Sequence, residues 1–202
     1  MRSALIALAF TISAVPALAL QSSSAPAPQV AVKAGTYKAD PAHTQLAWTI
    51  NHLGISLYHG LFGDIAGTLT IDPAKPEAAK VSVTVPIAKV LTTSDELNKH
   101  LLTADFFDAA TYPTATFTST KVEVQGTAAK ITGNLTLHGV TKPVVLDATL
   151  AGAGEHPMSK ALNIGFSATT RIKRSEFGMS KYVPMLGDDV DLTITAAFER
   201  TG

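Results

Sequence analysis

From Tyr37 onward, apolar and polar residues alternate one for one in run after run. Val81, Val83, Val85 and Ile87 interleave with Ser82, Thr84 and Pro86, and Val144, Leu146, Ala148 and Leu150 share one parity. Leu162, Ile164, Phe166, Ala168 and Ile172 alternate with Asn163, Ser167, Thr169 and Arg171. Val190, Leu192, Ile194, Ala196 and Phe198 alternate with Asp191, Thr193, Thr195 and Glu199. Successive side chains of a strand point to opposite faces, so the pattern encodes strands with one dry face and one wet face. Turn formers punctuate it at Asp72-Pro73, Lys75-Pro76, Gln125-Gly126, His138-Gly139 and from Gly152 to Pro157. The segmentation predicts eight strands, at 44–52, 56–71, 79–88, 113–124, 128–138, 141–151, 160–173 and 189–200. The second is long, and Gly60, Gly63 and Gly67 invite a bend or bulge within it.

One segment has a different period. Ser94 is placed to N-cap a short helix over 95–102, with Asp95 and Glu96 in its first turn and Leu97, Leu101 and Leu102 on one side. A single helix cannot cover the dry faces of eight strands. Either two sheets stack, or one sheet closes into a barrel with its apolar face inward, and periodicity leaves both open while favouring the barrel. At eight strands a barrel is filled by its own side chains or holds one small ligand. A wall of Val, Leu, Ile and Ala with few large rings to plug it favours the second.

The N-terminus reads as an address. Arg2 precedes an apolar run over 4–15, and Pro16 precedes Ala17-Leu18-Ala19, a small-x-small cleavage signal. Residues 1–19 are expected to be a secretory signal peptide, 20–34 a Pro- and Ser-rich disordered linker, and 35–202 the folded domain. No later segment is apolar for long enough to span a bilayer as a helix. The expected destination is the periplasm, without stable membrane insertion; a homodimer is left open.

Charge and composition exclude several functions. Sixteen Lys and Arg balance sixteen Asp and Glu, which removes the basic footprint of a nucleic-acid binder. With no cysteine, the chain has no disulfide, thiolate nucleophile or cysteine-held metal. There is no HExxH motif and no Gly-x-Ser-x-Gly elbow, and Asp188-Asp189 on a strand would face opposite ways. No cofactor, metal site or catalytic set is therefore expected. His43 and His52 flank inward-parity residues and most simply satisfy backbone groups at strand ends. His52, His100, Lys142 and Arg174 are also candidates for a polar head group at the barrel mouth. For Lys142 and Arg174 the simpler role is a solvated charge at a strand end, or a pair with Asp147, Glu176 or Asp189.

Several strings are distinctive in combination: Asp40-Pro41-Ala42-His43-Thr44, Gly60-Leu61-Phe62-Gly63, Ala104-Asp105-Phe106-Phe107-Asp108-Ala109 and Tyr112-Pro113-Thr114-Ala115-Thr116-Phe117. After them come the run from Gly133 to Val144, then Arg174-Ser175-Glu176-Phe177-Gly178-Met179 and Gly187-Asp188-Asp189-Val190. In this order, over residues 36–200, they closely resemble the YceI-like family of secreted bacterial proteins. The resemblance implies an all-β fold, an eight-stranded antiparallel lipocalin-like barrel with an apolar lumen and one short helix. It also implies a binding protein, not an enzyme, whose lumen holds a polyisoprenoid such as an isoprenoid quinone tail. The chain departs from many relatives at Leu97-Asn98, where a carboxylate precedes the His100-Leu101 pair. The inward-parity set is the expected lumen wall: Trp48, Ile50, Phe62, Phe117, Leu135, Leu137, Leu146, Ile164, Phe166 and Phe198. Two rival readings stand beside lipid binding: a barrel with a filled core and a structural or stress role, and a small-molecule enzyme.

Overall fold

The computed structural model describes residues 31–201. The expected signal peptide and most of the expected linker lie outside the described residues. Of the linker's last residues, Val32 packs on the core, and the Lys33 and Ala34 carbonyls accept hydrogen bonds from Tyr37 Oη and Arg200.

Eleven strands and one α-helix follow in chain order. They are β1 (Gly35–Ala39), β2 (Gln45–His52), β3 (Ser56–Phe62), β4 (Ala66–Ile71), β5 (Lys80–Pro86), β6 (Val90–Leu91), α1 (Asp95–Leu101), β7 (Thr114–Gln125), β8 (Ala128–Leu137), β9 (Val140–Glu155), β10 (Leu162–Lys173) and β11 (Leu186–Arg200). All pairings are antiparallel. The ring β1-β4-β5-β7-β8-β9-β10-β11 closes through the pairing of β1 with β11, giving an eight-stranded barrel. Closure leaves that ring without an edge, which is how an all-β chain avoids an open hydrogen-bonding template.

The eight expected strands correspond to eight staves, with two differences. The first stave starts earlier, because β1 and β2 both pair with β11, along different parts of its length. The stretch expected at 56–71 is broken at 63–65 into β3 and β4, where the glycine spacing invites a bend. The break has a consequence for shape. β4 pairs with β5, but β3, paired with β2 along one side, meets only the two-residue β6 on the other, through Leu61↔Leu91 and Phe62↔Val90. The wall is therefore incomplete at that end, and α1 with the segment 102–112 packs into the gap.

α1 forms where its N-cap predicts. Ser94 Oγ accepts from Leu97 N at 3.2 Å, and Asp95 and Glu96 complement the positive end of the helix. Asn98 Oδ1 accepts from Thr92 N at 2.7 Å and Thr92 Oγ1 at 2.8 Å, tying the helix to the turn before it. Leu101 is buried, and Leu97 packs against the core. Two clusters form the apolar interior. One, at the helix end, gathers Trp48, Ile50, Phe62, Leu101, Phe106 and Phe177; the other, at the opposite end, gathers Tyr37, Leu69, Leu162, Ile164 and Phe198.

Candidate functional site

The inner wall encloses a cavity of about 810 Å³. That is toward the upper end of the range for small-molecule sites, roughly 300–1,000 Å³. Its lining reaches from Val32, Ile71, Pro76 and Val124 at one end of the barrel to His52, His100, Phe106 and Tyr182 at the other. It is a tube along the barrel, not a pocket in one side. Parity explains its chemistry. On every stave the residues facing the lumen are those of the apolar register, and polar partners such as Asp191, Thr193 and Thr195 face out.

Trp48, Ile50, Phe62, Phe117, Leu135, Leu137, Leu146, Ile164, Phe166 and Phe198 all line this cavity. Phe106 and Phe107 line it too, packed edge-on against His100 and Phe62, with centroids at 5.0 and 5.5 Å. Trp48 lies directly across from Gly60 in the β2–β3 register and stacks on Tyr58, at 6.3 Å between centroids. Its Nε1 is buried with no hydrogen-bond partner among the described residues.

The four candidates for the mouth separate. His52 is exposed at the end of β2, with its ring 6.4 Å from Tyr58, and lines the opening. His100 also lines it, its Nε2 3.2 Å from Asp105 Oδ2, while Lys181 Nζ lies 3.1 Å from Asp105 Oδ1. These partners, His100 first and then Lys181, hold the Asp105 carboxyl below its ordinary value. Lys142 has inward parity with Val144 and Leu146 but is not among the residues that line the cavity. It pairs with none of its expected acids: Asp147 binds Lys130 and Asp189 binds Lys173.

Arg174 is neither solvated nor paired directly with a carboxylate. It is buried, lines the cavity, and spends its donors on backbone: Nε to Gly187 O at 2.8 Å, Nη1 to Met179 O at 2.7 Å and Nη2 to Leu186 O at 3.0 Å. Burial pulls its guanidinium below the ordinary value, while the nearby Asp188 opposes the shift. Its geometry is that of a clamp holding the segment 174–187 over the barrel end.

The remaining histidines are outside the lumen. His43 pairs with Asp40 in the turn before β2, so it sits off the strand and is bound to a side chain, not to backbone at a strand end. His59 meets Thr49 Oγ1, His138 donates to Phe177 O, and His156 accepts from the amides of Met158 and Ser159. The neighbouring carboxylates diverge: Asp188 accepts from Ser175 N and Oγ, and Asp189 pairs outward with Lys173. Among the described residues no three metal-ligating side chains converge.

Sequence reasoning missed Tyr58, Tyr182 and Met185 in the lining. Tyr58 shares parity with Phe62 and was open to detection; Tyr182 and Met185 lie in an aperiodic loop that carries no such signal.

The sequence matches the YceI-like domain over residues 37–198. Protein YceI of Escherichia coli O6:H1 is 43% identical over 164 residues, 80% of this chain and 85% of that protein. The crystal structure of the Campylobacter jejuni YceI protein superposes with a TM-score of 0.67 at 38% identity, covering 76% of this chain and 91% of that one. A Saccharophagus degradans structure, described as a polyisoprenoid binding domain implicated in plant cell wall breakdown, shares the fold. Its TM-score is 0.62 at 17% identity, over 84% of this chain and 100% of that one.

Proposed function

The chain belongs to the YceI-like family, and on that premise we propose that it holds a long polyisoprenoid, an isoprenoid quinone or polyprenyl chain, in the lumen. It sequesters or carries that lipid without covalent chemistry. The observation that carries the reading is the apolar tube itself, open along the barrel and walled by the ten inward residues from Trp48 to Phe198. A filled structural core would leave no such volume. The Saccharophagus degradans domain, described as polyisoprenoid binding, lends support through a shared fold. The apolar leader over residues 1–19 supports export to the periplasm.

The energetics suit the ligand class. Each buried methylene contributes about 0.8 kcal/mol, so an isoprene unit contributes roughly 4 kcal/mol before losses. Ordering of the chain and of the wall offsets much of that. With few polar groups in the wall, discrimination is by length and shape. His52 and His100 stand where a polar head would emerge at the mouth.

Native mass spectrometry of the protein purified from its own cells, followed by solvent extraction, tests the reading. A co-purifying mass that matches a prenyl quinone or polyprenol is expected. Added prenyl quinone should also raise the melting temperature of delipidated protein, because it binds only the folded state. An apo mass together with no thermal shift would overturn it.

A further inference from the structure

We propose that an apolar crown at the helix end of the barrel is a docking surface for a phospholipid bilayer, through which the lumen is loaded. The inference rests on the lipid-holding reading above. Two loops build the crown. The β2–β3 hairpin tip carries Leu53, Ile55 and Leu57, and the segment before β11 carries Tyr182, Val183 and Met185. Ile55 is 83% exposed, Met185 62% and Leu57 59%. The loops are joined, since Leu53 N donates to Met185 O at 3.0 Å and Leu186 pairs with His52, so the two apolar sets stand side by side at this end of the barrel. Contiguous apolar patches on a protein surface mark interaction sites, whereas single exposed apolar residues do not. Leu53 and Tyr182 also hold φ of +61° and +63°, a left-handed conformation that costs a non-glycine residue free energy.

Charge and continuity point to a bilayer as the occupant. Neither 51–58 nor 180–187 contains an acidic residue. The one lysine there, Lys181, is at the base of the crown, its Nζ 5.4 Å from the Tyr182 ring centroid and 3.1 Å from Asp105. Apolar tips, then an aromatic ring, then an ammonium is the order in which acyl chains, the interfacial boundary and phosphates are met on approaching a membrane. Leu53, Tyr182 and Met185 also line the cavity. The crown is thus continuous with the lumen wall, and a prenyl chain passing between bilayer and barrel need not cross water. A protein partner would call for hydrogen-bonding groups within the patch, and from Leu53 to Leu57 the hairpin tip offers only Ser56 and backbone.

The test is co-sedimentation with vesicles of phosphatidylethanolamine and phosphatidylglycerol, using the protein recovered after export, its N-terminus fixed by intact mass. The paired substitution Ile55→Asp and Leu57→Asp should lower vesicle partitioning by more than roughly tenfold. It should also slow transfer of a prenyl quinone out of vesicles, while uptake of the same quinone from detergent micelles stays as in the wild type. Met158→Asp is the control: Met158 is 86% exposed in the turn between β9 and β10, at the other end of the barrel, and its change should leave vesicle binding intact. A wild-type protein that ignores vesicles would overturn the proposal. So would crown variants that bind as the wild type does, equal loss in Met158→Asp, or a crown change that only dissociates a dimer. Uptake from micelles reads the lumen alone, so its failure counts against lipid holding and leaves the vesicle result to judge the crown.

Discussion

Replacing Gly60 by alanine should push the chain's one tryptophan into the lumen. A β-carbon at residue 60 would lie 2.2 Å from Trp48 Cζ2 and 2.4 Å from Cε2. Ordinary carbon contacts are about 3.5–4.0 Å, so the indole must retreat by roughly 1.5 Å. Behind it is the β3 backbone and beside it Tyr58, whereas the cavity is open. The ring therefore moves inward. Overpacking a closed core costs about 1–3 kcal/mol, and an empty lumen puts this case near the lower end. At about 2–4 °C per kcal/mol for a domain of this size, the delipidated protein should melt roughly 2–4 °C lower. The larger effect should appear in binding, because the space the ring enters is where a chain would lie. Loss of contact with two or three methylenes, at about 0.8 kcal/mol each, corresponds to a weakening of Kd by roughly 15- to 60-fold. Quenching of Trp48 emission by a prenyl quinone measures the affinity, and the emission maximum of the free protein should shift. Gly63→Ala is the control, since a β-carbon there meets nothing within 4 Å. If Gly60→Ala matches the wild type in emission, melting and affinity, the indole does not rest on Gly60 as described.

Three further outcomes follow from local geometry. Ser94→Ala removes the side-chain acceptor of Leu97 N, and should cost about 1 kcal/mol, read as a melting point lower by about 2–4 °C. Arg174→Met leaves the carbonyls of Met179, Leu186 and Gly187 without their donors. A loss of about 3 kcal/mol or more is expected, with proteolysis starting in the segment 174–187. His100, and then Lys181, favour the charged form of the Asp105 carboxyl and hold it below the ordinary aspartate value of 3.8. Its folded value is thus below the unfolded one, so its contribution is full above about pH 4 and fades as pH falls through the folded value. The melting-point gap between wild type and Asp105→Asn should accordingly shrink on acidification from roughly pH 6 to pH 3; a gap constant with pH would refute the pairing.

Parity made most of the fold legible, because a strand in a closed barrel has only two faces and the sequence marks one of them dry. β7 to β11 were found within a few residues for that reason. β1 was missed because Gly35–Ala39 offers one large apolar residue, Tyr37, too little for a period to register. The mouth was legible only in part. His52 and His100 stand on regular elements whose ends can be placed from sequence. Tyr182 and Met185 do not, since the segment before β11 takes its course from Arg174, whose three carbonyl acceptors are set by tertiary geometry alone. The same blindness made Lys142 look equivalent to Arg174: both are cations at the end of an apolar run, and only the fold tells a free strand end from a clamp.

Whether the barrel is filled or open turns on a subtler pattern than parity. Counting large inward residues gives the volume available to fill a lumen, not where that volume goes. Here two of the lumen's rings, Trp48 and Phe117, rest over glycines of the neighbouring strands. Trp48 faces Gly60 across β2 and β3, and a β-carbon at Gly133 would strike Phe117 Cζ at 2.3 Å. Val83 lies opposite Gly67 in the same way, with 2.7 Å between its Cγ1 and a β-carbon there. Each glycine gives up side-chain contacts and adds chain entropy to the unfolded state, a cost a filled core has no cause to bear. A ring covering a cross-strand glycine recovers part of that loss by burying itself against backbone. Its second effect is geometric: a ring that lies along the wall does not project into the axis. The glycines at 60 and 67, whose spacing invites a bend, therefore also keep the tube clear, which is why alanine at residue 60 is expected to harm binding more than folding.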